Sequence, residues 1–393
     1  MENFTYKNPT EIIFGEGCLH QLKQQLIRRR YQSALVLYGS SQWKENGILN
    51  QILQQLDVSS IPYHAIGGIC ANPKLSEVRH IVEQVEDHTV DIVLALGGGS
   101  VIDTAKAVAV LLADTSIHLQ DVLLGNCQIE QALDVGVIST IAGSGSESSC
   151  SMVITIDEGS LKRACDDEHL FPAFAILDPT LTFTLPEYQM VSGACDILMH
   201  AMERYFSPTE HTELIDAMSE GVMKIVLDSI VKSIENPKDY DARANLMWAG
   251  SLCHNGILGT GKKEDWACHR MEHELSGLFN VVHGAGLCAL WGSWAAYVQP
   301  QHQKRFAEFA RNVMNIEETD INRCGKLGIQ ALISFFQQVG MPTCIPELKQ
   351  VCLNEEVIQT MAQNCLLNTE SIGQLKKLTL HDIKMIYRKA GKR

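Results

Sequence analysis

The segment that most restricts how this chain can fold is Leu94-Ala-Leu-Gly97-Gly98-Gly99-Ser100-Val-Ile-Asp103-Thr-Ala-Lys106. It opens as an apolar run without polar alternation, the pattern of a strand covered on both faces. Three consecutive glycines follow. From Ser100 onward, Val101, Ile102, Ala105, Val108, Ala109 and Leu112 place apolar side chains on one face of a helix. A buried strand that passes at once into a helix belongs to a parallel, doubly wound sheet. Glycines at the turn let backbone amides approach an oxyanion, and the helix N-terminus adds partial positive charge. Gly98, Gly99 and Ser100 are therefore a candidate diphosphate cradle, although the spacing is neither G-x-G-x-x-G nor a Walker A sequence.

The same strand pattern recurs at Ala34–Tyr38, Asp91–Leu96, Val135–Ile138 and Phe174–Leu177, with helical stretches between. From about Pro186 the pattern changes to long helices, at Met190–Phe206, Glu213–Ile234, Asp241–Ile257, Phe306–Val313 and Gly325–Val339. The expected architecture is an α/β, Rossmann-like domain over residues 1–182 and an all-α domain over residues 183–393, divided within Asp178–Pro186. A length of 393 residues suits two domains.

A formal charge of −14 argues against general affinity for nucleic acid or an anionic membrane. The thirteen cysteines form no C-x-x-C pair, which fits reduced thiols better than a disulfide framework. Cys195, Cys253, Cys268 and Cys288 flank the segments described next, and packing is their expected role. The opening MENFTYKNPTEIIFG has no signal-peptide pattern, and no window reaches the roughly 18 apolar residues of a membrane span. The expected compartment is the cytoplasm.

Three further segments carry chemistry. Thr140-Ile-Ala-Gly143-Ser144-Gly145-Ser146-Glu147-Ser148-Ser149 follows an apolar strand and is rich in hydroxyls that can donate to phosphate or ribose. Asp196 and His200 are four apart on one helical face, a spacing that serves either a shared metal ion or a buried carboxylate–imidazole pair. Asp265-Trp-Ala-Cys-His269-Arg-Met-Glu-His273 through His283 holds three histidines in fifteen residues, and helical spacing alone pairs His269 with His273. An aspartate with several imidazoles, in a chain that also carries a diphosphate cradle, points to a metal site.

Together these segments resemble the iron-containing (group III) alcohol dehydrogenase family over nearly the full length, from Asn8–Gly15 through Leu177-Asp-Pro179 to the helical C-terminus. The Trp266–Ser276 stretch is similar to the butanol dehydrogenase-like and broad aldehyde reductase branch. The resemblance implies a dehydroquinate synthase-like architecture and metal ligands Asp196, His200, His269 and His283, so that the pattern passes over His273. His273 then lies beside substrate and nicotinamide as a catalytic proton relay, and Asp103, near the nicotinamide end, is implied as a second catalytic residue that also contacts the cofactor. Gly98, Gly99 and Ser100 hold the diphosphate. Asn72, Thr140, Ser144, Ser149, Lys162 and Thr182 occupy cofactor-contacting positions. A homodimer is implied as well. Ser144 stands where the family more often has threonine, which keeps the hydroxyl.

The turn after the first strand, Tyr38-Gly39-Ser40-Ser41, lacks the acidic residue that would repel a 2′-phosphate, so NADP(H) is favoured over NAD(H). The expected reaction is hydride transfer between NAD(P)(H) and a small primary alcohol or aldehyde whose oxygen is polarised by a divalent metal. The oxygen–nitrogen ligand set suits Fe²⁺ or Zn²⁺, and also Mn²⁺ or Ni²⁺. Rival readings are a glycerol dehydrogenase-like polyol oxidoreductase, a sugar-phosphate cyclase, and a catalytically silent metal- or nucleotide-binding relative. Lys and Arg are too sparse around Asp196–His283 for the substrate phosphate of a cyclase.

Overall fold

A computed structural model describes residues 1–85 and 88–392. The chain forms two compact units, one of Lys7–Leu185 and one of Pro186–Arg393 together with Met1–Tyr6. The first six residues thus leave the domain to which a simple division in sequence order assigns them. The Met1 amino group donates to the Glu210 carbonyl at 2.7 Å, and the Glu2 amide donates to the Gly261 carbonyl at 2.9 Å.

In the α/β unit, β1 (Glu11–Phe14), β2 (Ala34–Tyr38), β3 (Tyr63–Gly67), β4 (Ile92–Gly97), β5 (Asp134–Ser139) and β8 (Phe174–Leu177) form one sheet in the order β1-β8-β5-β4-β2-β3. Every pairing in it is parallel. Between β5 and β8 the chain makes an antiparallel hairpin of β6 (Ser151–Ile156) and β7 (Leu161–Asp166). The helices of this unit are α1 (Leu22–Arg29), α2 (Gln42–Glu45), α3 (Ile48–Val58), α4 (Leu75–Gln84), α5 (Gly99–Ala113) and α6 (Leu119–Leu123). Every residue of β2, β4 and β8 is buried, as continuous apolar runs require. The edges β1 and β3 are partly exposed and carry no such run, which is why the sequence pattern passes over them. The chain goes outward from β2 to β3 and returns on the other side of β2 to β4. The switch point of the sheet therefore lies between the carboxyl ends of β2 and β4, where such sheets bind nucleotides.

The second unit holds α7 (Glu187–Tyr205), α8 (Glu213–Glu235), α9 (Tyr240–His254), α10 (Ala267–Phe279), α11 (His283–Val298), α12 (Gln303–Asn312), α13 (Ile321–Gln338), α14 (Glu355–Cys365) and α15 (Leu380–Ala390). Its only β interaction among the described residues is an isolated bridge, Ile372 to Leu378. The core is aromatic: Phe206 stacks on Phe306 at 4.5 Å, and Trp291 packs beside Phe206, Phe309 and Phe336. Burying each such ring contributes roughly 1.5–3 kcal/mol, enough to hold the helices that carry the site. Among the described residues no helix is long and apolar enough to cross a membrane.

Candidate metal centre and nucleotide loops

Helix α7 presents Asp196, His200 and Glu203 at i, i+4 and i+7, all three buried. Helix α10 presents His269, Glu272, His273 and Ser276 at the same kind of spacing. α10 ends at Asn280 in the left-handed conformation (φ 52°), and the chain re-enters helix with His283 as the first residue of α11. Beyond this break, His283 Nε2 stands 3.6 Å from Asp196 Oδ1.

Three imidazoles converge on one carboxylate oxygen. Asp196 Oδ1 lies 3.6 Å from His269 Nε2, 3.6 Å from His283 Nε2 and 3.9 Å from His200 Nε2. These separations exceed hydrogen-bond length, and among the described residues Asp196 Oδ1 and His269 Nε2 are buried without a hydrogen-bond partner. Ligands at about 2.0–2.2 Å from a tetrahedral ion stand about 3.3–3.6 Å apart. The two 3.6 Å separations match that spacing and the 3.9 Å one lies just beyond it. Asp196, His200 and His269 offer ligand atoms all within 4.8 Å of one another, a group that could hold a divalent cation, and His283 Nε2 approaches the same Asp196 oxygen. The His283 side chain is 24% exposed, whereas those of Asp196, His200 and His269 are buried.

Two carboxylates aim the imidazoles. Glu203 Oε1 accepts from His269 Nδ1 at 2.8 Å and from the His269 amide at 2.9 Å. Glu272 pairs with His283 Nδ1 and also accepts from Ser276 Oγ. Carboxylates placed behind imidazoles in this way fix the tautomer, and would turn the Nε2 lone pairs toward an ion held between them. Gly286 lets α11 approach, since a Cβ there would stand 2.5 Å from Glu272 Oε1. Neither glutamate stands out in the sequence, although Glu203 continues the spacing of Asp196 and His200.

The electrostatics favour a cation. Burial opposes ionisation of Asp196, but His200, His283 and His269 outweigh it and hold the acid far below its usual range. Burial also works against charge on His269, yet Asp196 and Glu203 reverse it and raise the pKa to about 9. His200 is driven well below its ordinary value by burial. The neighbouring Cys195, Cys253, Cys268 and Cys288 are all buried, and burial pushes the Cys253 thiol up to about 12. They are packing groups. His273, half-buried, lies next to the cluster with its ring 5.6 Å from that of His283.

In the α/β unit the expected cofactor residues gather at the carboxyl ends of the strands. Gly39, Ser40 and Ser41 follow β2, Asn72 follows β3, Gly98, Gly99 and Ser100 follow β4, Thr140, Ser144 and Ser149 follow β5, and Thr182 follows β8. α5 begins at Gly99, one residue earlier than the apolar pattern suggests. A Cβ on Gly99 would stand 2.5 Å from Ser144 Oγ, so glycine is what brings the cradle and the serine loop together. Lys162 Nζ donates to Asn72 Oδ1 at 2.9 Å, joining two expected contacts 90 residues apart. The Thr182 hydroxyl donates to the Pro179 carbonyl at 2.7 Å. Ser40 Oγ accepts from the Gln42 amide at 3.1 Å, and Ser41 Oγ donates to Glu45 at 3.4 Å.

Asp103 is buried with both oxygens engaged, one accepting from Ser146 Oγ at 2.6 Å and the other from the Val153 amide at 3.1 Å. One turn along α5, the Lys106 ammonium donates to the Ser149 and Ser151 carbonyls at 2.9 and 2.6 Å. Burial pushes the Lys106 pKa down to about 8, against the charge of Asp103. Together the two residues staple the segment 146–153 to the helix of the cradle, which the sequence motif alone does not reveal.

The iron-containing alcohol dehydrogenase family model matches residues 9–179, and the C-terminal model of the Fe-containing alcohol dehydrogenase family matches residues 190–391. The chain is 32% identical to NADH-dependent butanol dehydrogenase A of Clostridium acetobutylicum, over 99% of this chain and 100% of that protein. It is also 32% identical to an NADPH-dependent aldehyde reductase of Escherichia coli K12, over 87% of this chain and 88% of the reductase. The crystal structure of NADH-dependent butanol dehydrogenase A from Thermotoga maritima matches with a TM-score of 0.94 at 33% identity, covering 100% of this chain and 99% of that one. Fold and relatives together define an oxidoreductase that uses a divalent metal and a nicotinamide dinucleotide. The chain belongs to the iron-containing alcohol dehydrogenase family, with the alcohol dehydrogenase or aldehyde reductase reaction of that family.

Proposed function

We propose that this enzyme interconverts small linear aldehydes and primary alcohols, butanal and butanol among them, with NADP(H) favoured over NAD(H), and that it works as a cytoplasmic homodimer. The observation that carries the reading is the convergence of His200, His269 and His283 on Asp196 Oδ1. A divalent ion held there supplies Lewis acidity, polarising a carbonyl oxygen toward hydride and lowering the pKa of an alcohol in reverse. Asp196, His200, His269 and His283 hold that ion. Glu203 and Glu272 keep two of the imidazoles as Nδ1–H tautomers with their Nε2 lone pairs directed inward. His273, its ring 5.6 Å from that of His283, holds on a ring nitrogen the proton that the product oxygen takes up. Gly98, Gly99 and Ser100 bind the diphosphate at the N-terminus of α5. Asn72, Thr140, Ser144, Ser149, Lys162 and Thr182 complete the cofactor site. Asp103 and Lys106 position the serine loop.

Ser40 and Ser41 offer hydroxyls at the end of β2, and Lys44 adds a cation one turn further, its Nζ 5.2 Å from the Tyr38 ring. These groups support a 2′-phosphate, Glu45 works against it, and the relatives divide between NADH and NADPH by name. The test is steady-state turnover of the metal-loaded protein on butanal, glycolaldehyde and dihydroxyacetone with each cofactor. Butanal with NADPH should give the highest kcat/KM. Faster turnover of dihydroxyacetone would establish the polyol reading, and binding of metal and dinucleotide without turnover of any carbonyl would establish the silent relative.

A further inference from the structure

Two of the three imidazoles are aimed by carboxylates, and the third is not. His200 Nδ1 is buried with no hydrogen-bond partner among the described residues. Its ring is held by other rings instead. His269 stacks on it at 4.7 Å and 18°, His254 covers it at 4.4 Å and 34°, and the Trp266 indole meets it edge-on at 5.8 Å. The indole also touches the rings of His269 at 5.1 Å and His254 at 5.8 Å.

Trp266 has a backbone that a bulky residue rarely adopts. Its φ of 60° and ψ of 11° are left-handed, at the residue that precedes α10. The surroundings enforce this conformation. The carboxylate of Asp265 accepts from the Ala267, Gln374 and Leu375 amides at 3.1, 2.8 and 2.7 Å, and the Asp265 amide donates to the Glu203 carbonyl at 2.9 Å. The indole is pinned separately. Its Nε1 donates to Glu264 Oε2 at 2.6 Å, and the Arg204 guanidinium lies over the ring at 4.6 Å. Arg204 in turn reaches Glu264 at 3.3 Å and donates to the His200 carbonyl at 3.1 Å. Strain that the environment over-determines, placed against a cluster of functional side chains, indicates a positioning task.

We propose that Trp266 is a positioning residue for the metal. Its indole, projected by the left-handed backbone, fixes the ring planes of His200 and His269 and replaces the hydrogen bond that His200 lacks. This role rests on the assignment of Asp196, His200, His269 and His283 as ligands. The experiment loads metal-stripped protein with Co²⁺ and reads the visible ligand-field spectrum and the affinity by chelator competition. Apoprotein circular dichroism and melting temperature serve as the fold control. Trp266→Leu should weaken Co²⁺ binding about 10–100-fold and shift the spectrum, the range seen when outer partners of metal ligands are lost. Trp266→Gly, for which the backbone is relaxed, should lose as much affinity while its apoprotein melts no lower than that of the Leu variant. Trp266→Phe keeps a ring but drops the Glu264 bond, and should lose about three- to tenfold. Wild-type affinity and spectrum in the Leu and Gly variants, beside lost binding in His269→Ala, would overturn the Trp266 role alone. Undiminished binding in His269→Ala would overturn the ligand assignment and the Trp266 role with it. If the Leu and Gly chains do not fold, an unchanged Phe variant overturns the role.

Discussion

Removing the carboxylate of Glu203 should weaken the metal site without touching a ligand. Glu203 is 5% exposed, and a single oxygen, Oε1, accepts both the His269 amide at 2.9 Å and His269 Nδ1 at 2.8 Å. In Glu203→Ala both donors are left buried without that acceptor, at about 1–3 kcal/mol each. Part of that loss falls on the apoprotein. The part that falls on the metal is the lost orientation and basicity of Nε2, for which 10–100-fold in affinity is the usual range, or about 1.4–2.7 kcal/mol. Glu203→Gln can keep both hydrogen bonds through its amide oxygen and loses only the charge, so its effect should be smaller, about three- to tenfold. Zn²⁺ affinity by chelator competition measures both variants, with kcat/KM at saturating metal as the second readout. An Ala variant that binds Zn²⁺ as tightly as the parent would refute the reasoning, because it would mean that His269 needs no carboxylate behind it. So would a Gln variant as weak as Ala, because the separation of hydrogen bonding from charge would then fail.

His269→Ala should lose metal and activity while circular dichroism shows a retained fold. Asp103→Asn should raise KM for the dinucleotide about tenfold with a smaller change in kcat, since both oxygens organise backbone and hydroxyl groups; a large kcat loss at unchanged KM would instead mark a proton-transfer group. Ser41→Asp should cut kcat/KM with NADPH about tenfold and leave NADH nearly unchanged, by like-charge repulsion of the 2′-phosphate, which steady-state kinetics with each cofactor reads directly. Asp382 caps α15: burial opposes its ionisation, but hydrogen bonds from Thr379 and Tyr297 outweigh it and lower the pKa to about 2. A carboxylate depressed in the fold stabilises above its unfolded pKa near 3.8, and the contribution disappears as pH falls toward 2. Allowing for solvent screening, hydrogen exchange in α15 should show Asp382→Asn about 1 kcal/mol less protected at pH 6, with the gap closing toward pH 2.

How much of this was legible in the sequence depended on whether a signal was local. β2 and β8 were readable to the residue because their burial on both faces writes an uninterrupted apolar run. β1 and β3, half-exposed at the sheet edges, write nothing comparable, and neither does the β6–β7 hairpin. Asp196 and His200 announce themselves by spacing, whereas spacing alone pairs His269 with His273, and His283 comes only from the family pattern because it lies beyond the helix break at Asn280. Glu203 and Glu272 were hidden because a glutamate on a helix ordinarily faces water, and their burial beside an imidazole is a tertiary fact. Lys106 was hidden for the same reason, since its ammonium finds carbonyls 43 and 45 residues away.

The most direct test of the central claim is a titration of metal-stripped protein with Fe²⁺ under anaerobic conditions, following butanal-dependent oxidation of NADPH and bound metal together. The account predicts negligible activity at the start, a linear rise to a plateau at one ion per chain, and no rise in His283→Ala. Full activity in the stripped protein, or a plateau reached equally by His283→Ala, would contradict it.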